Sequence, residues 1–95
     1  MTVEELKTEL EKISSGLSST GFSNIDSGLS EKLDKLAITA GEMGFKEGKK
    51  LIENLSAVIK SIMEGKSSAE SGNIRLTALD FYMVKLAEGG NTEEL

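Results

Sequence analysis

At 95 residues, with 38% apolar and 28% charged side chains, the chain has the length and mix of one globular domain built on a single core. It contains no histidine, cysteine, tryptophan or proline, which removes the usual neutral-pH proton shuttle, nucleophile and soft metal ligand. Sixteen acidic residues against eleven basic ones leave a net charge of -5, the wrong sign for nucleic acid or for an anionic membrane surface.

The first helix is announced by Thr2-Val3-Glu4-Glu5, a capping box in which Thr2 accepts from the third helical N–H and Glu5 reaches back. Val3, Leu6, Leu10, Ile13 and Leu17 follow at alternating steps of three and four, one narrow seam. Ser14-Ser15-Gly16 weakens its end, and residues 18–27 read as a loop rich in Ser, Gly and Asn, pinned to the core by Phe22 and Ile25.

The second helix is expected over 28–43. At about 100° per residue, Leu29, Leu33, Leu36, Ala40 and Met43 share one face, and Gly44 stops the helix with a left-handed cap. The third, expected over 45–64, carries a broad stripe of Leu51, Ile52, Leu55, Val58, Ile59, Ile62 and Met63. Gly48 lies within that stripe and invites close approach of a neighbouring backbone. Gly65 ends the helix, a polar link follows, and a fourth helix begins between Ala69 and Asn73 and runs to Gly89-Gly90. Ser67 and Glu70 offer it a capping box, with Gly72-Asn73 as a later start.

No segment alternates with period two. The expected fold is therefore all-α, an antiparallel four-helix bundle over residues 1–90 with a disordered tail at 91–95. Its core is drawn from Leu6, Leu10, Leu33, Leu36, Ala40, Leu51, Leu55, Ile62, Leu79 and Leu86.

Two surfaces depart from a one-face pattern. On the second helix Ile38 points away from the Leu33/Leu36/Ala40 stripe, so Asp34, Ile38 and Gly41 form a candidate docking patch, apolar at its centre and acidic around. On the fourth, Leu76, Leu79, Met83 and Leu86 make one stripe while Ile74, Phe81 and Val84 make another. A helix apolar nearly all round is covered on more than one side. Either the loop carrying Phe22 and Ile25 lies over the second stripe, or another polypeptide does.

Catalytic chemistry is not expected. The hydroxyls of Ser14, Ser15, Ser18, Ser19, Ser67 and Ser68 lie in linker-like stretches without a histidine base. Asp26, Asp34 and Asp80 lack the spacing of a calcium loop, and neither Gly41-Glu42-Met43-Gly44 nor Gly89-Gly90 is a phosphate loop. No cofactor and no metal site is expected.

The stretch from the second to the third helix resembles the histidine phosphotransfer domains of bacterial phosphorelays. Their motif runs His-x-x-Lys-Gly-x-Ala/Ser, then a glycine four residues on, then a second amphipathic helix. Here Asp34-Lys35-Leu36-Ala37-Ile38-Thr39-Ala40 leads to Gly44-Phe45, so Ala40 and Gly44 match. The chemical positions depart: Asp34 stands for the phosphorylated histidine, Ala37 for the lysine and Ile38 for the glycine. The likeness spans 29–64, about a third of the chain. It implies a degenerate, histidine phosphotransfer-like bundle without phosphotransfer, whose second helix docks a response-regulator receiver domain or another protein partner at Asp34, Ile38 and Gly41.

The expected function is thus a non-catalytic protein-binding module in bacterial signalling. The alternative is a self-associating structural protein, a weak homodimer joined through Ile74, Phe81 and Val84 of its fourth helix. No apolar run approaches the roughly 20 residues of a membrane span, and Met1 to Glu5 lacks the basic start of a secretory signal. A cytoplasmic location is expected.

Overall fold

Four helices account for most of residues 2–22 and 25–87, which the computed structural model describes with the side chains of 86 and 87 set aside. They are α1 (Val3–Thr20), α2 (Leu29–Glu42), α3 (Lys46–Met63) and α4 (Ala69–Ala87). No strand occurs among the described residues. None of these helices is long and apolar enough to cross a membrane.

α1 starts on the expected capping box: Glu5 N–H donates to Thr2 Oγ1 at 3.1 Å, and Thr2 N–H donates to Glu5 Oε1 at 2.9 Å. It does not weaken at Ser14-Ser15-Gly16 but continues to Thr20. Leu17 at the end of the seam is buried, which rewards the extra turn, and Ser14 turns its hydroxyl across to α4 instead of competing for α1's own backbone. The segment expected to be a loop from residue 18 therefore begins only at Gly21, where φ is +76°.

α2 follows an Asx turn in which Gly28 N–H donates to Asp26 Oδ1. α2 and α3 end alike. Phe45 N–H reaches Ala40 C=O at 2.9 Å and Gly44 N–H reaches Gly41 C=O at 3.1 Å, while Lys66 and Gly65 repeat the pattern on Ser61 and Ile62. These paired bonds need a left-handed residue at the turn, and Gly44 (φ +88°) and Gly65 (φ +76°) supply it. At the first turn Phe45 is buried, like Ala40 beneath it, so the stop also adds to the core. α4 starts at Ala69, and Ser67 donates its hydroxyl to Ser61.

α3 lies between α2 and α4, and α1 meets α4 on the far side. Leu6, Leu10, Leu33, Leu36, Ala40, Leu55 and Leu79 are buried as expected. Leu51 and Ile62 are only half-buried, because the innermost line of α3 runs through Gly48, Ile52, Leu55, Ser56 and Ile59. Met63 is exposed, so the stripe of α3 is narrower than its composition suggests. The side chain of Leu86, the expected helix end at Gly89-Gly90 and the tail at 91–95 lie outside what is described.

Two glycines accept aromatic rings. A β-carbon built on Gly48 would lie 2.8 Å from Cε2 and Oη of Tyr82, so the close neighbour at Gly48 is a side chain of α4 and not a backbone. Gly72 accepts the ring of Phe22, with 2.6 Å from the β-carbon position to Cε1. Phe22 is thus pinned to the core as expected, and Ile25 packs half-buried against it.

Candidate functional site

On α2 the three expected docking residues have three different fates. Asp34 is clamped by α3: Ser56 Oγ donates to Oδ1 at 2.7 Å and Lys60 Nζ donates to Oδ2 at 2.9 Å. Ser56 also lies 3.1 Å from the Ser30 carbonyl, so one buried hydroxyl of α3 faces two oxygen acceptors of α2. The Ser56 hydrogen bond, followed by that from Lys60, holds the Asp34 carboxyl below its ordinary value. Gly41 is half-buried, and its β-carbon position lies 2.9 Å from Cδ of Lys49. Ile38 alone is freely presented, at 59% exposure. The trio forms no continuous apolar patch: two of its members face α3.

The line on α4 is different. Ile74, Phe81 and Val84 are 61%, 67% and 54% exposed, whereas Leu76, Leu79, Tyr82 and Met83 on the opposite side are buried. The loop carrying Phe22 and Ile25 was one candidate cover. It does not serve: Phe22 sits over Gly72 on the core side, and the three outer side chains remain in water. Thr77, the polar residue within the line, donates its hydroxyl to the Asn73 carbonyl at 2.8 Å. That bond uses its donor inside the helix. Beside Phe81 a shallow groove of about 260 Å³ opens toward α3, walled by Leu51, Ala78 and Tyr82 and rimmed by Glu47 and Lys85.

A second, wider hollow of about 290 Å³ lies where α1 meets the start of α2, floored by Ile13, Leu17, Ile25 and Leu29. Lys12 and Lys32 stand at its edge, and both pair with Glu9, at 3.5 and 3.3 Å. Glu9 thereby offsets one of their two positive charges.

Sequence reasoning missed two polar residues that organise the interior. Ser14 is buried and donates to Asp80 Oδ1 at 2.5 Å, tying α1 to α4, where a linker serine was expected. Ser56 performs the same service between α2 and α3. The available signal was position: each serine falls on or beside an apolar seam, where a polar side chain needs a partner on the facing helix. Among the described residues no buried side-chain polar atom lacks one, and no group of three acidic side chains is gathered for a metal.

No family profile matches the chain, and no curated protein or solved structure shows significant similarity to it.

Proposed function

We propose that the protein is a non-catalytic helical interaction module, an antiparallel bundle that holds another polypeptide on the outer line of α4. One observation carries this reading: three large apolar side chains on one line of a well-packed helix, each more than half exposed and facing away from the core. Scattered exposed apolar residues are ordinary, but an aligned set over three turns leaves a strip of surface whose burial is favourable. The antiparallel arrangement is supported by the contacts between helices. Asp34 meets Ser56 and Lys60 while Gly41 meets Lys49, and Ser14 meets Asp80 while Phe22 meets Gly72, each pairing running in opposite directions along its two elements.

The test is a photoreactive phenylalanine analogue at position 81 in the native cell, with a control at exposed Glu11 on α1. A polypeptide adduct at 81 and none at 11 is the expected result. No adduct at 81 refutes the reading.

A second reading keeps the likeness to histidine phosphotransfer domains and places a receiver-type signalling partner on α2. Ile38 favours it, as an exposed apolar residue one turn from a carboxylate held ionised and in fixed orientation by Ser56 and Lys60. Ile38→Glu would then abolish binding of such a partner, while Phe81→Glu would leave it intact.

A further inference from the structure

Resting on the reading of α4 as the binding face, we propose that its occupant is the same face of a second copy, run antiparallel about a two-fold axis at the level of Leu79. The outer line consists of Ile74, Thr77, Phe81 and Val84, spaced three, four and three. That is the a-d-a-d spacing of a two-helix seam. It is also its own reverse. Aligning the line with an inverted copy sets Ile74 against the second copy's Val84, and Thr77 against the second copy's Phe81. Each aromatic ring then meets a small residue. A parallel alignment would stack ring on ring and leave Thr77 against Thr77.

Two further observations fit the antiparallel arrangement. The hydroxyl of Thr77 is bonded to the Asn73 carbonyl, so the seam can close over its methyl group without burying an unsatisfied donor. Charge also selects the direction. Glu70 at one end of the line and Lys85 at the other are both exposed. Inversion brings each Glu70 to within about a turn of the second copy's Lys85, whereas parallel pairing sets like against like.

The area sets the strength. An aromatic side chain offers roughly 150–250 Å², so Phe81 with two partly exposed aliphatic residues leaves on the order of 300 Å² per copy. The pair buries about half the roughly 1,200 Å² at the low end of stable complexes. Association is therefore weak and concentration-dependent.

Because the chain has no cysteine, single introduced thiols report the register directly. Ala78 flanks the seam one residue from the axis, and Ala78→Cys is expected to form a disulfide-linked dimer under mild oxidation at high concentration. Ile74→Cys alone is expected to stay monomeric, while an equal mixture of Ile74→Cys and Val84→Cys proteins cross-links. Disulfide formation by Ile74→Cys alone would mean a parallel pair and overturn the proposal. So would a native chain that stays monomeric in sedimentation equilibrium at millimolar concentration.

A charge exchange at exposed positions checks the result without touching the core. Glu70→Lys and Lys85→Glu should each weaken the dimer several-fold, and the double variant should restore it. Unchanged association in both single variants refutes the register. A photo-adduct at position 81 joined to a different protein, with no self-adduct, would keep α4 as the binding face and overturn the second copy as its occupant.

Discussion

Alanine at two glycines sets helix propensity against packing with opposite expected signs. Gly16 lies inside α1 with no atom of another segment within 4 Å of its β-carbon position. Glycine in a helix interior costs roughly 0.5–1 kcal/mol relative to alanine, so Gly16→Ala should stabilise the protein by that amount. Gly48 gains the same propensity, but its new methyl would stand 2.8 Å from two atoms of Tyr82, a buried ring that cannot swing into solvent. Overpacking of this kind costs about 1–3 kcal/mol. The net expectation for Gly48→Ala is a loss of up to about 2.5 kcal/mol. In a domain of this size 1 kcal/mol moves the melting midpoint by about 4–8 °C, so the two variants should separate by at least about 4 °C in a thermal melt followed by circular dichroism. Tyr82→Leu shortens the opposing side chain, and Gly48→Ala should cost less in that background. Equal stabilisation by both glycine substitutions would refute the packing argument.

Leu55→Ala, at a fully buried position of the central helix, should lower stability by about 2–5 kcal/mol in urea denaturation. Ser14→Ala removes the hydrogen bond to Asp80 and should cost about 1 kcal/mol in the same assay, since the half-buried carboxylate can recover part of the loss from water. Asp34 has a folded-state pKa below its unfolded value, so its contribution is fully present above the unfolded pKa and is lost as pH falls through the folded one. Asp34→Asn should therefore destabilise at neutral pH, and the gap from the parent should narrow below about pH 4 in a series of denaturation curves. A gap that stays constant across that range would mean the Ser56 and Lys60 contacts contribute nothing that depends on charge.

The helices were legible because their signals are local. Thr2 and Glu5, Gly44, Gly65 and the three-four spacing of leucines act within a few residues of each boundary they set. The exception is the end of α1, where Ser14, Ser15 and Gly16 have the composition of a breaker. Helix persists there because Leu17 is buried and Ser14 has a carboxylate to reach, and that carboxylate belongs to α4, 66 residues away. The surroundings of the candidate site on α2 were hidden for the same kind of reason. Its three residues do share a line, but the partners that occupy it, Ser56, Lys60 and Lys49, come from α3. A helical wheel gives directions around one axis and says nothing of what stands opposite.

α4 shows how far periodicity reaches and where it stops. Its two apolar lines are of similar length and hydrophobicity, so pattern alone does not say which one the bundle takes. The choice is made by what the lines carry between their large residues. Gly72, beside Leu76 on the inward side, makes room for the ring of Phe22, and Tyr82 fits against Gly48 of α3. A β-carbon at either glycine would prop the helices apart. The outer line has no such concession to a neighbour within the chain. Its polar member, Thr77, has its hydroxyl bonded within α4. The inward line is thus shaped for closure inside one molecule, and the outer line is left apolar, aligned and exposed, which is the condition under which burial by another chain contributes free energy without disturbing the fold.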